Sequence, residues 1–305
     1  MLPKEFLKRM EEMLKEEYPA FLAEYEKEHM HALRVNPLKT DVGGFLRRSP
    51  FALKPVPWAS AGYYYGSGDA PGKHPYHEAG VYYIQEPSAM APAEYLMQPF
   101  TDAGIAMEEE RILDLCAAPG GKSTQIAAAM RGRGLLVSNE IHPARAKILS
   151  ENMERMGITN ALVTNESPQQ LAEHSGRSFT RILVDAPCSG EGMFRKNDAA
   201  CGEWSREQVE ACAARQDEIL ACAASMLLSG GRLVYSTCTF APQENEGTIQ
   251  RFLKQHPDFY IEHAEKYEGM SDGVPAWGGE REAEERLSDT IRLWPQRIAG
   301  EGHYL

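Results

Sequence analysis

From Arg111 onward the chain alternates short apolar runs, turns rich in Gly, Pro and Asn, and segments of helical periodicity, and this alternation limits its fold more than any other feature. Strand candidates are Arg111–Cys116, Leu135–Asn139, Ala161–Thr164, Arg181–Asp185 and Arg232–Ser236, with helix candidates near Lys122–Met130, Pro143–Met156, Pro168–His174, Arg206–Leu228 and Gln243–His256. Near-continuous apolar strands separated by helices call for an open, mostly parallel sheet with helices on both faces, an α/β Rossmann-like architecture. Ligands of such sheets bind outside the carboxyl ends of the strands. The residues just past each strand are therefore where chemistry is sought.

Residues 1–30 carry Leu2, Phe6, Met10, Met13 and Leu14 at three- and four-residue spacing and read as an amphipathic helix packed on the surface. Residues 31–100, rich in Pro, Gly and aromatics, read as the rest of a small N-terminal α+β accessory module. The expected division is thus 1–100 for an accessory module that binds RNA and 101–305 for a catalytic domain. An acidic loop region follows His256, and Gly302–Leu305 stops where a strand would be starting, so the chain reads as a fragment. At 43% hydrophobic and 25% charged residues it has the balance of a globular protein. Six cysteines, no two separated by only two residues, are neither a disulfide scaffold nor a zinc site. The N-terminus has no secretory pattern, and the longest apolar run, Ile219–Leu228, is far short of the roughly 20 residues of a membrane span. A cytoplasmic monomer is the expectation. His74 and His77 form a loop pair without further ligands, and no metal is expected.

The first strand runs into Leu113-Asp114-Leu115-Cys116-Ala117-Ala118-Pro119-Gly120-Gly121-Lys122-Ser123-Thr124. Small residues followed at once by a helix aim backbone N–H groups and a helix N-terminus at a charged ligand. A phosphate loop would require Gly where Cys116 stands, although Gly121, Lys122 and Ser123 match and Asp185 could hold magnesium, so a P-loop ATPase is one reading. The second strand ends in Asn139-Glu140, a carboxylate placed to bond the ribose hydroxyls of an adenosyl group. That suits S-adenosylmethionine or a dinucleotide, and a triphosphatase has no need of it.

The fourth and fifth strands end in Val184-Asp185-Ala186-Pro187-Cys188-Ser189-Gly190-Glu191-Gly192 and Tyr235-Ser236-Thr237-Cys238-Thr239-Phe240. Neighbouring strands lie about 4.8 Å apart, so if these two pair, Cys188 and Cys238 are presented side by side. Cys201, Cys212 and Cys222 read as small apolar residues. Two thiols with a carboxylate suit methylation of a pyrimidine at carbon 5, where a thiolate adds to carbon 6 and makes carbon 5 nucleophilic. The thiolate needs nearby positive charge, for which Arg195, Lys196 and Lys122 are candidates, and a base must later remove the carbon 5 proton. Asp185 could select cytosine through ring nitrogen 3 and the exocyclic amine.

The segments after the first, fourth and fifth strands, the fourth continued through Met193-Phe194-Arg195-Lys196, together with Val137-Ser138-Asn139-Glu140 and the helix after it, resemble in order and spacing the RNA cytosine-5 methyltransferases of the Sun family, specifically the bacterial RsmF-like ribosomal RNA branch. Arg34-Val35-Asn36-Pro37-Leu38-Lys39, Tyr83-Ile84-Gln85-Glu86-Pro87-Ser88-Ala89-Met90, and Arg292-Leu293-Trp294-Pro295 with Gly300-Glu301-Gly302-His303 extend the resemblance to the segments before and after the core. The resemblance implies a class I methyltransferase fold using S-adenosyl-L-methionine. It places Cys116, Ala117, Ala118, Pro119, Gly120, Gly121 and Lys122 at the methionine end, Glu140 at the ribose, and Arg145 in the cofactor site. Asp185 falls between cofactor and base, Cys238 is the nucleophile and Cys188 the product-release residue. Ser167 stands where the family often has an acidic residue beside the adenine, with Glu166 as a substitute. The implied substrate is cytosine in 16S ribosomal RNA, bare or in an assembled subunit; transfer RNA and 23S ribosomal RNA are alternatives, and a C-terminal RNA-binding domain of the family is missing or truncated. A non-catalytic RNA-binding assembly factor is a third class, against which both thiols count.

The net charge of −12 argues against a generic nucleic-acid binder. Yet residues 1–30 hold five Lys/Arg against eight Glu, residues 102–110 add four carboxylates, and residues 255–290 hold three Lys/Arg against ten Asp/Glu, leaving +2 for everything else. Residues 31–56 carry Arg34, Lys39, Arg47, Arg48 and Lys54 against Asp41. The aromatics Trp58, Tyr63, Tyr64, Tyr65, Tyr76, Tyr82 and Tyr83 could stack on bases or form the core of this module, the second being favoured, with Lys54, Lys73 and His74 as candidate phosphate contacts. A local basic face with modest, salt-sensitive RNA affinity is expected.

Overall fold

The computed structural model describes residues 1–99, 106–279 and 285–305. They group into two compact units, His31–Asp185 with Ile219–Tyr235, and Met1–Met30 with Ala186–Glu218 and Ser236–Leu305. The expected boundary between residues 100 and 101 falls outside the described residues.

In the first unit, β1 (His31–Val35), β2 (Lys54–Pro55), β3 (Gly62–Tyr65) and β4 (Tyr82–Ile84) form an antiparallel sheet in the order β2-β3-β1-β4. Trp58 and Tyr82 are core residues, their polar tips bonded to the carbonyls of Pro87 and Pro71. Tyr83 is also buried, while Tyr63, Tyr64 and Tyr65 are half-buried and Tyr76 is exposed. The second sheet of this unit contains β5 (Arg111–Asp114), β6 (Leu135–Asn139), β7 (Ala161–Thr164), β8 (Phe179–Asp185) and β9 (Leu227–Ser236) in the order β7-β6-β5-β8-β9. Leu113 of β5 pairs with Val137 on one side and Ile182 on the other, both in parallel register. Strand order reverses beside β5, so the segments after β5 and β8 open at the switch point where such sheets bind ligands.

Helix Gly121–Met130 packs Ile126, Ala127 and Met130 against Ile112, Leu136 and Leu183, with Leu149 and Met153 of helix Pro143–Met156 in the same core. Charge is also buried here: Arg181 donates to Glu110 Oε1 at 2.7 Å and to the carbonyl of Leu96 at 2.6 Å. The first strand stops at Asp114, not Cys116, because the chain turns while Leu115 N still reaches Leu183 O and Ala117 N reaches Asn139 O.

In the second unit the expected single N-terminal helix is broken. A helix spans Lys4–Leu14, Lys15 takes a positive φ of 50°, and a second, short α-helix at Tyr18–Ala23 is flanked by 3-10 turns of helix at Lys15–Glu17 and Glu24–Glu26. Pro19 has no N–H with which to continue a helical ladder. Phe6, Met10 and Phe21 are fully buried with Phe194, Trp204, Phe240 and Trp294, and Arg9 bonds the buried Glu191 at 2.5 Å. Strands β10 (Met270–Asp272), β11 (Ile291–Leu293) and β12 (His303–Tyr304) form an antiparallel sheet, so both apolar runs of the closing segment are paired.

Candidate active site

The segment after β5 is fixed through its carbonyls. Arg145 Nη2 donates to Ala118 O at 2.9 Å, Asn152 Nδ2 to Pro119 O at 2.8 Å, and Arg34 Nη2 to Gly121 O at 3.1 Å. Arg34, wholly buried, also bonds Thr124 Oγ1 and Gln85 Oε1, and burial pulls its pKa down to about 10. Gly120 adopts a left-handed φ of 107°, a conformation that side chains disfavour, and this lets the chain turn straight into the helix. Lys122 Nζ donates to Asp185 Oδ2 at 2.7 Å, joining the start of that helix to the tip of β8.

Three further carboxyl and thiol groups surround this segment. Asp114 is fully buried, accepts from Ser123 Oγ at 2.6 Å through Oδ2, and leaves Oδ1 without a hydrogen bond; burial pushes its pKa up to about 7. Burial likewise drives the Cys116 thiol far above its usual range. Glu140 at the end of β6 is nearly enclosed, with Oε1 accepting from His142 N at 2.9 Å and Oε2 at 3.5 Å from Arg145 Nη2. Ser167 caps helix Pro168–Ser175 by accepting from Gln170 N. The backbone of Glu166 is tied at both ends to the Asn139 side chain.

In the other unit, Cys188 and Cys238 lie three residues past β8 and two past β9, with their sulfurs 3.3 Å apart. The bond to the Cys238 sulfur, reinforced by burial and the charge of Glu244, raises the Cys188 pKa well above a normal thiol's. Gly192 N donates to Cys238 O at 2.7 Å, and a Cβ at Gly192 would come within 2.6 Å of that oxygen, so only glycine permits the approach. Two of the three cations considered for thiol activation have counter-ions, Arg195 beside Glu301 at 3.4 Å and Lys122 beside Asp185, and Lys196 is exposed. Cys201 and Cys212 are buried and Cys222 is half-buried. Among the described residues no group of His, Cys, Asp and Glu is disposed to hold a metal.

Asp114, Arg34, Asn152 and Glu244 were not foreseen as site residues. Asp114 and Glu244 sit inside recognised motif neighbourhoods, yet their roles depend on partners distant in sequence. The signal available was a carboxyl in an otherwise apolar strand and the polar run Glu244-Asn245-Glu246 where a helix was expected to start, all three wholly buried.

A parallel sheet in this strand order, with a glycine turn after its first strand and a carboxylate ending its second, defines a Rossmann-like class I methyltransferase fold. The chain belongs to the family described as 16S rRNA methyltransferase RsmB/F, whose model matches residues 105–305, and residues 2–87 match the N-terminal domain of 16S rRNA methyltransferase RsmF. It is 36% identical over 297 residues to ribosomal RNA small subunit methyltransferase F of Aeromonas hydrophila, covering 93% of this chain and 58% of that protein. The protein of the same name from Escherichia coli O157:H7 is 38% identical over 265 residues, covering 84% and 54%. The chain thus spans little more than half the length of these relatives. A methyltransferase homologue from Pyrococcus horikoshii has a similar structure, with a TM-score of 0.84, 29% identity and coverage of 99% of this chain and 93% of the other. NSun6 from the same organism, in a structure with SFG, shares the fold at a TM-score of 0.77 and 20% identity, covering 99% and 96%.

Proposed function

We propose that this chain transfers the methyl group of S-adenosyl-L-methionine to carbon 5 of a cytosine in RNA, in 16S ribosomal RNA, through a covalent bond between Cys238 and the base. The observation that carries this reading is the pair of sulfurs 3.3 Å apart beyond two neighbouring strands of a methyltransferase sheet. The relatives' names supply the ribosomal substrate.

The cofactor segment fits its assigned ligand on the chain's own chemistry. A buried carboxyl oxygen of Asp114 lacks a hydrogen bond two residues before the turn, and Glu140 is an enclosed acceptor one residue past β6. Cys116, Ala117, Ala118, Pro119, Gly120, Gly121 and Lys122 would hold the methionine end, Glu140 with Arg145 the ribose side, and Ser167 the adenine side. The bound cofactor supplies an electrophilic methyl group.

The remaining steps belong to the side chains. The Cys238 thiolate adds to carbon 6, and the electron pair of the 5,6 double bond moves to carbon 5, which takes the methyl group. Asp185, protonated or sharing a proton, donates to ring nitrogen 3 and accepts from the exocyclic amine, while Lys122 fixes the carboxyl's orientation through its 2.7 Å bond. A base then takes the carbon 5 proton, the double bond re-forms and the Cys238 sulfur leaves. Cys188, kept as a thiol by its surroundings, assists that release. The protein acts as a cytoplasmic monomer, with residues 1–100 as the RNA-binding accessory module of a catalytic domain at 101–305.

Incubation with tritiated S-adenosylmethionine and 16S ribosomal RNA tests the reading. Cys238→Ala should abolish methylation and any covalent complex, whereas Cys188→Ala should accumulate a denaturation-resistant RNA–protein complex. Full activity in Cys238→Ala overturns the assignment.

A further inference from the structure

Both thiols are bracketed by hydrogen bonds from three polar side chains, Gln216, Glu244 and Asn245, all with zero exposure. Before Cys188, the carbonyl of Pro187 accepts from Gln216 Nε2 at 3.0 Å; after it, Ser189 donates to Glu244 twice, from N to Oε2 at 3.0 Å and from Oγ to Oε1 at 2.5 Å. Cys238 is treated the same way. Thr237 Oγ1 donates to Asn245 Oδ1 at 2.6 Å, and Asn245 Nδ2 donates to Thr239 O at 2.9 Å. Two bonds close the frame: Gln216 Nε2 to Glu244 Oε2 at 2.8 Å, and the hydroxyls of Ser189 and Thr239 at 2.9 Å.

From this geometry we infer that the frame made by Gln216, Glu244 and Asn245, closed by the Ser189–Thr239 hydroxyl bond without which it does not hold, sets the distance between the two thiols for the release half of the reaction, its members being positioning residues. The inference rests on the proposed thiol chemistry. A thiol pair without a disulfide has no covalent restraint on its spacing, and both sulfurs lie past the ends of β8 and β9, with Thr237 bridged to Tyr304 and not to the segment that carries Cys188. The frame supplies what the sheet does not. When Glu244 is ionised it only accepts, and the chain of donors then runs one way: Ala241 N donates to Thr239 Oγ1 at 3.2 Å, Thr239 to Ser189, and Ser189 to Glu244. The Ser189–Thr239 bond directly links the residue after Cys188 to the residue after Cys238. Its removal leaves both cysteines in place and releases their spacing.

Productive geometry in covalent catalysis is narrow, and a displacement of about 1 Å can cost about 100-fold in rate. Adduct formation needs Cys238 alone, whereas release needs both sulfurs, so a slackened frame should slow release more than formation. The test compares Thr239→Val, Thr239→Ser and Ser189→Ala with the wild-type chain on 16S ribosomal RNA and tritiated S-adenosylmethionine. Thr239→Val and Ser189→Ala should lower kcat at least about tenfold with KM for RNA unchanged, and should raise the steady-state fraction of enzyme in the denaturation-resistant complex. Thr239→Ser, which retains the hydroxyl, should restore both. Ser189→Ala removes only one oxygen and keeps the Ser189 N bond to Glu244, which makes it the readable variant if Thr239→Val does not fold. Wild-type kcat with no rise in trapped complex in Ser189→Ala overturns the inference, as does an effect confined to KM. If the wild-type chain itself forms no adduct and transfers no methyl group, it is the proposed function that fails.

Discussion

Asp114 and Glu244 carry the same physical signature, a carboxyl whose burial raises its pKa to about 7 from 3.8 and 4.5 respectively. A carboxyl with a raised folded pKa holds its proton more tightly in the native state. Its contribution to stability is complete below the unfolded pKa and is lost as pH rises through about 7. Thermal unfolding of the cofactor-free protein should therefore show a melting temperature that rises, relative to Asp114→Asn, as pH falls from 7.5 to 5. A constant difference across that range would show that Asp114 does not titrate as its burial dictates. At this scale the sequence revealed position, since Cys188, Cys238, Asp185 and Glu140 each stand at or just past a strand end as their flanking apolar runs put them. It was silent on Asn245 and Glu244, because a buried polar side chain is explained by partners that linear spacing does not reveal: Glu244 meets Ser189 and Gln216, both far along the chain.

Strands and helices with strong periodicity fell where their patterns put them. β6, β7 and helix Pro143–Met156 match residue for residue, since Pro143 fixes one end and Gly157, at a left-handed φ of 74°, fixes the other. β9 begins earlier than its apolar run, at Leu227, directly after helix Arg206–Met226, an extension across Gly230 and Gly231 that periodicity does not signal. The cofactor segment shows how an element gains rigidity it lacks by itself. Arg34 of β1 holds the first turn of helix Gly121–Met130 by two hydrogen bonds, so the antiparallel sheet contributes to the methyltransferase turn within one unit. Arg34→Met takes the donor from the buried Gln85 Oε1 at a cost of about 1–3 kcal/mol and removes one bond each from the Gly121 carbonyl and the Thr124 hydroxyl, which keep the 3.1 Å bond between them. Calorimetry should show a lowered melting temperature and S-adenosylmethionine binding weakened about tenfold, which corresponds to about 1.4 kcal/mol. Unchanged affinity in a folded Arg34→Met protein would separate the arginine from the cofactor segment.

For the molecule as a whole, a net charge of −12 conflicts with an RNA substrate only if charge is averaged over the chain. The basic stretch at 31–56 loses one member to the interior, since Arg34 is buried, but Lys39, Arg47, Arg48 and Lys54 are exposed. Each contact to a phosphate of single-stranded RNA contributes about −0.7 to the slope of log Kobs against log salt, so four such contacts give a slope of about −3. The acidic segments elsewhere add no counterion release and keep nonspecific binding weak at physiological salt. Fluorescence anisotropy on a single-stranded ribosomal RNA fragment should therefore give that slope for the wild-type chain, and charge reversal of Arg47 and Arg48 to Glu should reduce it by about half. The substitution lies outside the thiol and cofactor segments, so kcat at saturating RNA should stay at the wild-type value while KM rises. An unchanged salt slope in the double variant would place the RNA contacts away from the basic stretch.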